Sequence, residues 1–398
     1  MRSFILFVFV STLSLADTRY ESPSTILVKG EIREGVFETD SEDAAQWKQE
    51  VLSQLQFIVG NFEQKNTPSL GHTLNLEFKE KLPGESAKFK VSYKAIFSLA
   101  WTRPYQGSSL PTEVKVILPK RSDGRGLELF SEHHLNHCGQ NPLWYYFKPK
   151  SAGCALGKNP LPSDAQFTKI YLSTAKNSWG KYPEYGKIWE DGKLVITHVM
   201  GNVDSDDAFS LHSLFEHETD VVSFEKSSDS FVTRVSQFST QAGRVIVRTL
   251  QITKGNVEEQ EKNPDFVAEF KNLQKEADVI SYNGHAGFGE NSRAFTRLID
   301  FTPAKYYLVW INACVPFAYL DDTLMDAQKR ANPASAWSKH LDIAILTQAG
   351  IFQYGSDIQA LIRVLTQKQL SYSQFLNSLS SHGPAVLGEE DNQWPKPF

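Results

Sequence analysis

Apolar and polar positions recur along this chain with two different periods, and the change from one to the other divides it. Over residues 41–64 the apolar positions Ala45, Val51, Leu52, Leu55, Ile58 and Val59 have helical spacing. Ser41, Glu42 and Asp43 ahead of them suit a helix N-terminus, where negative charge is favoured. Alternating runs follow over 72–78, 88–101 and 113–118, separated by Pro-Gly and Gly-Ser-Ser turns, and period two with one apolar face predicts half-buried strands. Asn159-Pro160-Leu161-Pro162 reads as a linker. Beyond it the sequence predicts a hairpin over 187–200 around Asp191-Gly192, a second pair over 231–238 and 244–253, and a charged amphipathic helix over 257–277. Short strands are expected at 278–282, 306–311 and 341–346, with a helix over 357–365. The run 306–311 is almost wholly apolar, as in a strand covered on both faces. Helices alternating with such strands predict an α/β sheet. The expected organisation is a signal segment over 1–16, a mostly antiparallel β-rich domain with one helix over 17–160, and an α/β domain over 161–398.

The first sixteen residues have the form of an export signal: Met1-Arg2, then an apolar stretch from Phe4 to Leu15, then Ser14-Leu15-Ala16 as a small-x-small cleavage site. The apolar stretch is too short to span a bilayer, and no later one reaches eighteen residues. The expectation is a periplasmic or secreted chain cleaved near Ala16, with no transmembrane anchor. Over 398 residues, 41% hydrophobic content supports a real core. A net charge of −5 argues against a nucleic-acid partner, because phosphate affinity is carried by clustered Lys and Arg.

Export makes the 3 cysteines informative. Disulfides persist in oxidising compartments, and an odd count leaves one thiol over. Cys138 and Cys154 flank Trp144, Tyr145, Tyr146 and Phe147, so the segment reads as a loop closed by a disulfide. Cys314 is left over, and a thiol retained outside the cytosol is either buried or used.

Two predicted strand ends hold the chemistry. One runs into Asn283-Gly284-His285-Ala286-Gly287-Phe288-Gly289, the other into Asn312-Ala313-Cys314. Ligands of open α/β sheets bind outside the carboxyl ends of strands, which places His285 and Cys314 at one edge. A thiol needs a base to ionise it or an acid to protonate the leaving amine, and histidine supplies both near neutral pH.

A hydrophobic strand ending in His-(Ala)-Gly, followed by another ending in Ala-Cys, resembles the caspase, legumain and gingipain group of cysteine peptidases, the bacterial caspase-like and gingipain-like members above all. The resemblance is detailed over residues 277–314 and loose elsewhere. It implies a caspase-like three-layer αβα fold and a peptide or protein substrate. It also implies a Cys-His dyad, with Cys314 as nucleophile and His285 as general acid/base. The backbone N–H groups of Cys314 and of Gly287 or its neighbour Ala286 would form the oxyanion hole. This sequence has Ala286 directly after the histidine, so an N–H used there requires a negative φ at that alanine. The alternative is the same fold, catalytically idle, acting as an envelope or cell-surface interaction module.

No cofactor is expected. His133, His134 and His137 beside Cys138 invite a metal, but zinc sites need three or four converging ligands and Cys138 already has a disulfide partner. Asp204, Asp206 and Asp207 offer hard oxygens suited to calcium, yet lack the glycine and distal glutamate of an EF-hand loop. They read better as the cap of a helix starting near Ala208. Residues 284–289 lack the Lys-Ser/Thr of a phosphate loop.

Overall fold

A computed structural model describes residues 25–62, 69–85, 87–102, 111–138, 147–174, 182–201, 222–347, 354–372, 374 and 384–388. The expected signal segment, the aromatic residues 144–146 and the three aspartates 204, 206 and 207 lie outside these residues. The described chain is mixed α/β, with several helices and two sheets of five and eight strands.

The five-stranded sheet is antiparallel. Its strands are β1 (Thr25–Thr39), β2 (Ser69–Pro83), β3 (Phe89–Thr102), β4 (Glu113–Pro119) and β5 (Ala165–Thr174), in the order β2-β3-β1-β5-β4. Val91, Tyr93, Ala95, Phe97 and Leu99 of β3 occupy alternate positions and are fully buried, which gives the sheet its core face. The sequence places the change of pattern at residue 160, but β5 begins after that point and pairs with β1 and β4, so the first sheet extends to Thr174. The expected helix shortens to α1 (Ala44–Gln56), because Asp43 is the N-cap and accepts a 2.9 Å hydrogen bond from the Ala45 N–H. Helix α2 (Gly124–Phe130) follows β4.

The eight-stranded sheet contains β6 (Lys193–Met200), β7 (Val222–Ser227), β8 (Phe231–Thr240), β9 (Gly243–Ile252), β10 (Val279–Asn283), β11 (Tyr307–Asn312), β12 (Leu341–Leu346) and β13 (Pro384–Leu387). The order is β13-β12-β11-β10-β6-β9-β8-β7. The five central strands, from β12 to β9, are parallel, and antiparallel strands close both edges. The predicted pair around Gln241-Ala242-Gly243 is the β8–β9 hairpin. The predicted 187–200 hairpin is not: residues 185–188 form a helical turn, and β6 pairs in parallel with β9 and β10. The Asp-Gly signal marks a turn of either kind, so it did not specify which element precedes it.

Helix α3 (Pro264–Gln274) is the second half of the predicted 257–277 helix, and residues 257–260 form a separate turn. Asn263 caps α3 and Pro264 starts it; proline is well placed at a first helical turn and poorly placed inside a helix. Helices α4 (Glu290–Leu298), α5 (Thr323–Ala331) and α6 (Tyr354–Gln367) complete the layers. Ile280, Tyr282, Val309 and Ile311 share a core with Phe266 and Phe270 of α3 and Phe295 of α4. On the opposite face, Val279, Leu308 and Trp310 meet Ile358, Leu361 and Leu365 of α6. Strands covered on both sides explain why β10, β11 and β12 are buried at every position. The first of these cores also contains Val28, Phe37 and Phe97 of the five-stranded sheet, and β2 packs against the turn Pro316–Tyr319. One apolar core therefore runs through both sheets.

Candidate functional site

The register of the parallel pair fixes the site. Val279 pairs with Leu308, and the ladder runs to Asn283 opposite Asn312. His285 and Cys314 each lie two positions beyond these last partners, at the carboxyl edge of adjacent central strands. The ends of the strands are laced together: the Gly284 N–H donates to the Asn312 carbonyl at 3.1 Å, and the Gly201 N–H at the end of β6 donates to the Asn283 carbonyl at 2.9 Å.

Two side chains hold the backbone of the histidine. The Tyr282 hydroxyl donates to the His285 carbonyl at 2.7 Å, and Asn291 Nδ2 donates to the same oxygen at 3.0 Å. Tyr282 is itself fixed by stacking on Phe295, with ring centroids 5.2 Å apart. Asn291 Oδ1 in turn accepts from the Glu258 N–H at 3.4 Å, tying the loop to the helical turn after β9. The His285 side chain is exposed. Neither Tyr282 nor Asn291 was picked out from sequence. Asn291 is buried on the first turn of α4, a placement that no local pattern in the sequence marks.

Gly284 is required by crowding, since a Cβ there would lie 2.7 Å from the Tyr282 hydroxyl and 3.0 Å from Gly201 Cα. Ala286 has φ −67° and ψ −25°, the negative φ that an alanine at this position needs. Gly287 takes the left-handed φ of +58°, open to glycine at little cost. Phe288 also has a positive φ, 53°, and its side chain is 70% exposed beside the histidine.

Cys314 is half-buried and lies outside the disulfide. The next residue, Val315, has φ 53°, a left-handed conformation that costs a β-branched residue about 1–3 kcal/mol. That turn sends the chain directly into Pro316–Tyr319. Tyr319 packs under Gly289, where an added Cβ would sit 2.4 Å from Tyr319 Cδ1, so the loops after β10 and β11 are in contact. A cleft of about 430 Å³ opens at this edge, lined by Gly201, Gly255, Asn256, Val257, Glu259, Tyr282, His285 and Asn291. It sits over the ends of β9, β6 and β10, where the chain order reverses direction across the sheet.

Perturbed groups elsewhere are structural. Asp278, at the amino end of β10, is pushed up to about 6 by burial, against the opposing pull of Lys305 at 3.0 Å, and it accepts from the Val195 N–H. His198, wholly buried on β6, is held down at about 3 by loss of solvent, and its Nδ1 lies 2.7 Å from Ser281 Oγ. The expected disulfide joins Cys138 to Cys154. His133 and His134 meet Asp164 rather than Cys138. Among the described residues, no helix is long and apolar enough to cross a membrane.

No family model matches the chain, and no curated protein matches it. Among solved structures it is similar to a secreted C11 cysteine protease from Bacteroides thetaiotaomicron in complex with an irreversible peptide inhibitor, at 9% identity and a TM-score of 0.26. That likeness covers 48% of this chain and 57% of the other, so it spans little more than half the length of that protein.

Proposed function

We propose that the chain is an exported cysteine endopeptidase of caspase-like or gingipain-like type, using a dyad of Cys314 and His285. The observation that carries the reading is the pairing of Asn283 with Asn312, which gives histidine and thiol equal offsets past adjacent parallel strands, with the histidine lining a cleft. A disulfide at Cys138–Cys154 supports an oxidising compartment, and the apolar start of the sequence supports the route there.

In the proposed reaction Cys314 Sγ, as thiolate, attacks the carbonyl carbon of the scissile bond. Negative charge moves to the carbonyl oxygen, where backbone N–H groups of Cys314 and of Ala286 or Gly287 receive it. Protonated His285 passes its proton to the departing amine, the C–N bond breaks, and a thioester to Cys314 remains. Neutral His285 then takes a proton from water, whose oxygen attacks the thioester. Collapse releases the carboxyl product and restores the thiolate and the protonated histidine.

The test is cleavage of a diverse peptide library by the purified protein under mild reductant, beside Cys314→Ala. Cleavage confined to the wild type is expected, and equal cleavage by the variant would overturn the dyad. No cleavage by a folded wild-type protein would favour the idle interaction module. The exposed Phe288 beside His285 is the feature that module would use.

A further inference from the structure

Outside the dyad, one group of chemistry-bearing side chains converges from distant parts of the sequence. After α2 the helix widens into a π turn over residues 131–135 that contains His133 and His134. A π turn has more residues per turn than an α-helix, so successive side chains diverge by less than the α-helical 100°. The two imidazoles lie 6.0 Å apart between ring centroids. Asp164, the residue before β5, reaches both of them. Its Oδ2 is 3.2 Å from His133 Nδ1, and both its oxygens are 3.0 Å from His134 Nε2.

We propose that His133 Nδ1, His134 Nε2 and the Asp164 carboxylate form a binding site for a divalent transition-metal cation of the zinc class. All three donors lie within 4.8 Å of one another. Around a tetrahedral zinc with bonds of about 2.0–2.1 Å, ligand atoms stand roughly 3.3 Å apart, so the two nitrogen–oxygen separations already match such an edge. Two imidazoles and one carboxylate select zinc, copper or nickel over calcium and magnesium, which prefer all-oxygen shells. His134 is buried at 5% exposure, and its ring packs on Phe130 with centroids 4.8 Å apart, so one ligand is rigidly held. His133 is exposed, which provides the entry path and leaves a fourth position for water.

One feature sets the strength. Metal at His134 Nε2 leaves the ring proton on Nδ1, a buried atom with no hydrogen-bond partner among the described residues. Sites whose ligating histidine lacks an outer partner are about 10–100-fold weaker than supported ones, so the affinity is moderate rather than structural. The disulfide bears on the same geometry. Cys138 ends the histidine segment, and Cys154 lies on the strand of chain leading to Asp164.

The experiment is calorimetric titration of the metal-stripped full-length protein with Zn²⁺, repeated with Cys314→Ser to remove the other thiol–imidazole site. The expected result is one zinc per chain in both proteins, with affinity at least about tenfold lower in His133→Ala, a change at an exposed residue. Asp164→Asn should show the same loss while circular dichroism shows the fold retained. No binding, binding that disappears in Cys314→Ser, or unchanged affinity in His133→Ala would each overturn the proposal.

Discussion

Asn283 of β10 faces Asn312 of β11 as the last register pair of a parallel ladder, and both side chains are buried. Because neighbouring parallel strands leave the sheet in the same direction, equal offsets from this pair bring the two following loops out side by side. The lacing from Gly284 N–H to the Asn312 carbonyl continues the ladder one step beyond the pair. The geometry around His285 and Cys314 thus depends on strand register rather than on a long chain of side-chain contacts.

Removing the imidazole tests its role apart from the thiol. His285→Ala should keep the fold, since the side chain is exposed, and lower peptide cleavage by roughly 10²–10⁴-fold, the range for a general acid/base. The ratio of kcat/KM to wild type, with circular dichroism to confirm folding, checks this; a loss under tenfold would remove His285 from the reaction.

Tyr282→Phe deletes one hydrogen bond to the His285 carbonyl and leaves the ring on Phe295. The expected cost is about 1 kcal/mol of stability. If the hydroxyl positions the loop, kcat falls several-fold with little change in KM. Urea unfolding and steady-state kinetics read the two effects separately.

Thiol titration of the unreduced, denatured protein should find one reactive thiol per chain, the 3 cysteines less the bridged pair. Replacing Cys138 and Cys154 together by serine should cost about 3 kcal/mol in the chain-entropy account, read as a lower unfolding midpoint. Three titrating thiols would contradict the bridge.

Acid should weaken the fold through His198. Its folded-state value is depressed from 6.5 to about 3 by burial, so the unfolded chain binds the proton first. This contribution is fully present above pH 6.5 and is lost as pH falls towards 3, by at most about 1.4 kcal/mol per pH unit. Asp278, raised to about 6, acts in the opposite sense between its ordinary value and 6, so total slopes mislead. The difference between wild type and His198→Asn isolates the histidine: the variant's unfolding free energy should fall less steeply between pH 6 and pH 4.

Strands were legible wherever period and burial agreed. The alternation at 88–101 became β3, the apolar run at 341–346 became β12, and the turn at 241–243 joined a true hairpin. Helix ends were less so, because capping at Asp43 and the Asn263-Pro264 pair overrides periodicity over only a few residues. His285 and Cys314 could be placed at a common edge because strand ends are local features. Asp164 could not be joined to His133 and His134, since that meeting depends on how two separate segments pack. Tyr282 and Asn291 were hidden for a related reason: one reads as an apolar strand residue, the other as a polar helix residue, and only the fold turns both towards one carbonyl.

The apolar core shared by the two sheets bears on how such a molecule is switched on. If the N-terminal layer were discarded, the turn Pro316–Tyr319, which follows Cys314 and packs against β2, would lose that cover and leave buried Phe317 open to water. If the proposed peptidase is activated by cleavage, a core shared in this way favours nicking without dissociation. Proteolysis would part the polypeptide on a denaturing gel, while the halves still migrate as a single particle in gel filtration.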